Sequence, residues 1–89
     1  MIIRNEHYVL RKIGDTYLLV AVKKTQYEKW LYVLNNTGAL IWEICSNCKN
    51  IKEIVCRVMT KYESESCEDY NCIQDFCNQL INLGLLREL

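Results

Sequence analysis

The spacing of apolar and polar positions changes character once along this chain, at Asn35–Gly38. Before that point the apolar residues come in short β-branched and aromatic runs. Tyr8–Ile13 (YVLRKI) and Thr16–Val22 (TYLLVAV) flank Gly14-Asp15. A glycine at the first of two loop positions suits a tight hairpin turn, because that position takes a positive φ. Trp30–Leu34 (WLYVL) reads as a third short strand.

After Gly38 the period becomes helical. A first helix is expected from about Thr37 to Ser46, capped by Asn35 or Asn36. The second begins at Asn50, whose side chain sits three residues before Glu53 in a capping-box arrangement. Its apolar face is Ile51, Ile54, Val55, Val58 and Tyr62. The third begins near Ser66 and buries Tyr70, Ile73, Phe76, Cys77, Leu80 and Ile81. Gly84 stops it, and the closing LLREL reads as a short extended tail. Three strands followed by three helices predict an α+β domain resembling a winged helix-turn-helix with its sheet at the N-terminus. With 89 residues, a single domain spanning 1–89 is expected.

Charge narrows the function classes. Eleven basic and eleven acidic residues cancel, and the cations are scattered, so nothing demands a nucleic-acid partner. The stretch Glu63–Asp69 is locally acidic. No apolar stretch approaches the roughly 20 residues of a membrane span, and the start of the chain lacks a secretory pattern. The expectation is a cytoplasmic protein.

Six cysteines change this picture only slightly. Cys45-Ser46-Asn47-Cys48 is a single Cys-x-x-Cys without the second pair, or the histidines, that a structural zinc site needs. Cys67, Cys72 and Cys77 recur every five residues, which on a helix places them on different faces. Cys45, Cys48 and Cys77 fall on apolar arcs as small hydrophobes, while Cys56 and Cys67 point outward. Free thiols, no metal and no cofactor are expected. His7 reads as an ordinary strand residue and Trp42 as core. No catalytic constellation appears, so the chain reads as a non-enzyme.

In order, LNNTGALIWEIC, IKEIVCRVMTKYE and DFCNQLINLGLL resemble the PqqD-like family over roughly Tyr8–Leu86. A Leu-Asn-x-Thr-Gly segment opens the first helix there, and a Leu-x-x-x-Gly-Leu-Leu close ends the third. That resemblance implies a recognition element for ribosomally made precursor peptides. Such a domain binds the leader segment and delivers it to a modifying enzyme, such as a radical SAM enzyme or a leader peptidase. It also implies that the leader docks as an added strand against the third strand, over the third helix.

A physical reading fits that implication. A strand that ends in a capped helix stays short, and one side of it is open to an incoming extended peptide. Backbone pairing is insensitive to the guest's sequence, so specificity must come from pockets beside the strand. The expected peptide-binding set is Trp30, Leu31, Tyr32, Val33 and Leu34, with Asp69, Ile73, Phe76, Cys77 and Leu80 from the third helix. The alternative for the helix residues is plain core packing. Rival functions are a winged-helix DNA-binding regulator, a redox protein using Cys45 and Cys48, and a homodimer closing the strand edge on itself.

Overall fold

The computed structural model describes residues 1–22 and 31–89. The order is β1 (Ile2–Arg4), β2 (Tyr8–Ile13), β3 (Thr16–Ala21), β4 (Leu31–Leu34), α1 (Asn36–Ile44), α2 (Ile51–Lys61), α3 (Cys67–Asn82) and β5 (Leu86–Glu88), with one 3₁₀ turn at Cys45–Asn47. The α+β order is as the sequence implies, but the strand count differs. There are five strands in two sheets among the described residues. β2, β3 and β4 form one antiparallel sheet in that order, and β1 pairs antiparallel with β5.

The second sheet joins the two ends of the chain. Ile2 pairs with Glu88 and Arg4 with Leu86. Each strand is only three residues long, too short for a two-fold period to announce itself. The extended tail thus has a partner that sequence reading passed over. His7 lies in the turn before β2, not in a strand, and its carbonyl accepts from the Val22 amide at 2.6 Å.

Local chemistry accounts for the helix ends. Asn35 Oδ1 accepts the Gly38 amide at 2.7 Å and so starts α1 immediately after β4. Asn50 Oδ1 accepts the Glu53 amide at 2.9 Å, and Glu53 reaches back to the Lys49 amide at 3.0 Å. This is a capping box shifted outward by one residue. The Glu53 carboxyl is held below its ordinary range first by that Lys49 hydrogen bond, with Arg57 adding to it at 2.9 Å. Ser66 caps α3 through the Asp69 amide. Gly84, at φ +77°, ends α3 and lets the Leu85 amide bond back to the Leu80 carbonyl.

One buried cluster joins sheet and helices. It contains Ile2, Tyr8, Leu19 and Leu34 from the strands, Ile41 and Trp42 from α1, Ile54, Val55 and Val58 from α2, and Cys77 and Leu80 from α3. The sheet's inner row Leu10–Leu19–Tyr32 faces this core. Its other face carries the rows Val9–Val20–Leu31 and Arg11–Leu18–Val33. No helix among the described residues is long and apolar enough to cross a membrane.

Candidate functional site

Among the described residues, β4 pairs with β3 on one side and with no strand on the other. Its backbone donors and acceptors on that side are a template for a further strand. The four residues Leu31–Leu34 alternate, as a strand requires. Tyr32 and Leu34 turn inward. The Tyr32 ring meets Tyr8 edge-on, with centroids 5.6 Å apart. Leu31 and Val33 turn outward, and Val33 is 69 % exposed.

A cavity of about 380 Å³ opens where β4 ends. Asn35 and Thr37 form its sheet-side wall. Val58, Met59, Tyr62 and Ser64 close it from α2 and the turn beyond, and Asp69, Cys72, Ile73 and Phe76 from α3. The lining is apolar at its floor and polar at one end, where Asp69 Oδ2 accepts the Ser64 hydroxyl at 2.6 Å. Glu63 makes this end possible. It takes a left-handed φ of 53° and turns the chain sharply out of α2, so that the Ser64 amide returns to the Met59 carbonyl.

The structure sorts the residues expected from sequence. Leu31 and Val33 sit on the open face of β4, and Tyr32 and Leu34 sit on its core face. Asp69, Ile73 and Phe76 line the cavity. Cys77 and Leu80 are buried in the core beneath it and present no surface to a guest. On α3, Leu80 continues the Ile73–Phe76 strip one turn further along, beyond the cavity, and Cys77 lies about 100° around the helix from Phe76. Trp30 lies outside the described residues. Asn35, Thr37, Val58, Met59, Tyr62, Ser64 and Cys72 line the cavity without having been expected in the peptide-binding set. Of these, Tyr62 carried a signal: a large aromatic at the last turn of α2, whose apolar face it was expected to continue, yet 50 % exposed.

The cysteines divide by burial. Cys45, Cys48 and Cys77 are buried, and Cys56, Cys67 and Cys72 are exposed, all six as free thiols. Burial pushes Cys45 and Cys77 up to about 11 and also raises Cys48, so these thiols stay protonated and inert near neutral pH. The Cys45 Sγ donates to the Trp42 carbonyl at 3.3 Å and the Cys48 Sγ to the Ile44 carbonyl at 3.4 Å. Among the described residues no group of three or more His, Cys, Asp or Glu is placed to hold a metal ion.

The family described as coenzyme PQQ synthesis protein D (PqqD) matches residues 17–86, which take in β4, all three helices, most of β3 and the first residue of β5. No curated protein matches the chain. A solved structure of TbiB1 in complex with the TbiA(beta) leader peptide has the same fold, with a TM-score of 0.68 and 22 % identity, over 97 % of this chain and 95 % of that one.

Proposed function

This chain belongs to the PqqD family, and we propose that it binds the leader segment of a ribosomally synthesised precursor peptide without catalysing a reaction itself. The observation that carries the reading is the edge of β4 that no described strand pairs with, ending at the cavity between α2 and α3. An extended guest added to that edge gains backbone hydrogen bonds along β4. Its alternate side chains then fall on two surfaces. One set is directed to the cavity floor of Val58, Met59, Ile73 and Phe76. The other continues the open sheet face beside Leu31 and Val33. The leader complex of a protein of the same fold supports this reading.

The composition of the cavity supports a binding role. Among the described residues its lining includes Ser64 and Cys72 but no histidine or lysine to activate either as a nucleophile, which supports a binding role with the chemistry left to a separate enzyme. We assign that role to a cytoplasmic modifying enzyme of the radical SAM or leader-peptidase kind. The DNA-reading alternative fares poorly on one observation. A helix-turn-helix reader needs cations on its recognition helix, whereas α3 carries Glu68, Asp69 and Asp75 and no lysine or arginine.

Amide hydrogen exchange tests the strand addition. The leader to use is that of a short precursor peptide sought among the genes beside this one. On binding, alternate amides of Leu31–Leu34 should slow, because alternate N–H groups of an edge strand point away from its one partner. Protection appearing on α2 around Lys49–Arg57, with β4 unchanged, refutes the assignment.

A further inference from the structure

The strongest unassigned feature is the charge of the wall beside the cavity. From Tyr62 to Leu86 the chain contains Glu63, Glu65, Glu68, Asp69 and Asp75 and no lysine or arginine, within a protein whose 11 basic and 11 acidic residues balance overall, so this segment concentrates the negative charge. None of the five forms an ion pair with a described residue; the ion pair found among the described residues is Arg57–Glu53, on α2. All five are exposed. Asp69 belongs to the cavity lining itself. At 100° per residue, Glu68 and Asp75 lie with Cys72 on the strip of α3 next to the lining strip Asp69–Ile73–Phe76. They stand about 10 Å apart on the solvent-facing rim of the cavity, on either side of Cys72, and do not line it.

We infer that the guest of this groove is a cationic extended segment, with lysine or arginine side chains interleaved with the apolar ones that fill the cavity. The inference rests on the strand-binding reading above and specifies its substrate class. A strand advances about 3.3 Å per residue, so acids spread over about 10 Å of α3 address about three successive guest positions. The cavity floor of Val58, Met59, Ile73 and Phe76 takes an apolar side chain, and the polar end at Asp69 and Ser64 takes a positive one. An acidic guest would meet uncompensated like charge along the same wall. Because the acids are exposed, each pairing is modest. It is worth at most about fivefold in affinity at low salt and is weakened by screening.

A random library of synthetic 14-residue peptides, passed over the immobilised full-length chain, tests this directly. Retained peptides should be enriched in lysine and arginine over aspartate and glutamate, at positions flanking an apolar residue. The enrichment should fall when the selection is repeated in 0.5 M salt. It should also fall for the triple variant Glu68→Gln, Asp69→Asn, Asp75→Asn. The substitution Asp69→Asn keeps a side-chain oxygen to accept the Ser64 hydroxyl, and circular dichroism checks that the variant folds. Retained peptides with no cationic bias, or with one unchanged in the triple variant, overturn the charge inference and leave strand addition standing. Retention of no peptides, together with unchanged β4 amide exchange in the presence of the library, overturns both.

Discussion

Gly38 and Phe76 are packed so closely that no side chain fits between them. A Cβ added to Gly38 would stand 2.9 Å from the Phe76 Cζ and 3.3 Å from the Asn35 Oδ1 that caps α1. The abrupt passage from β4 into α1 therefore does two things at once. Asn35 stops the strand by capping the helix, and the glycine three residues later admits the aromatic ring that walls the cavity. Asn35–Gly38 is the corner that joins β4, paired among the described residues with β3 alone, to the groove.

Gly38→Ala should displace the Phe76 ring. Alanine favours a helix over glycine by up to about 1 kcal/mol, which offsets much of the steric cost. The melting temperature should move little while leader affinity drops several-fold. Phe76→Leu in the same chain gives the methyl group room. The two substitutions should therefore be non-additive in binding, which a double-mutant cycle by calorimetry measures. Additive losses would show that the ring and the glycine act separately.

The faces of β4 give a sharper pair of variants. Tyr32 packs on the core and against Tyr8, so Tyr32→Ser should cost about 3 kcal/mol or more in urea unfolding. Leu31 lies on the open face, so Leu31→Ser should leave stability within about 1 kcal/mol of the parent chain while weakening leader binding. A reversed pattern would mean that the strand's inward and outward assignments are wrong.

How far these faces can be read beforehand depends on the length of each pattern. Hairpin, caps and helices are legible because Gly14, Asn35, Asn50, Ser66 and Gly84 each do local chemistry within four residues of where they stand. β1 and β5 are not, since Ile2–Arg4 and Leu86–Glu88 become strands only by meeting each other across the whole chain. The site is legible in part. Ile73 and Phe76 declare themselves as apolar positions on α3. Whether such a position is floor or core depends on how α2 packs beside it, which no local pattern contains. That is why Cys77 and Leu80 read like Ile73 and Phe76 in sequence and lie beneath them in space.

Thiol footprinting exploits the division of the cysteines. Under native conditions iodoacetamide should modify Cys56, Cys67 and Cys72 and spare Cys45, Cys48 and Cys77. Adding leader should slow modification at Cys72 alone, because Cys72 lines the cavity while Cys56 and Cys67 do not. Mass spectrometry after combined trypsin and Asp-N digestion, which puts Cys56, Cys67, Cys72 and Cys77 on separate peptides, reads each rate. Equal protection of Cys56 and Cys72 would point to a general tightening of the fold rather than occupancy of the groove.

The buried thiols also set an upper pH limit on stability. Desolvation is the main cause that lifts Cys45 and Cys77 from an ordinary 9.0 to about 11, opposed at Cys45 by the charge of Arg4 and reinforced at Cys77 by its neighbours Cys45 and Cys48. A raised folded-state value means the unfolded chain releases these protons first. Their contribution is complete below pH 9 and is lost as the pH rises through 11. Each thiol accounts for at most about 2–3 kcal/mol over that window. Urea unfolding at pH 7, 9 and 10.5 should therefore show a flat region followed by a fall. Tyrosine and lysine titrate in the same range, so the decisive comparison is Cys77→Val, which keeps a small apolar side chain and removes one ionising group. Its stability should fall less steeply above pH 9 than that of the parent chain. Parallel curves would show that the alkaline loss originates elsewhere than in the thiols packed beneath the groove.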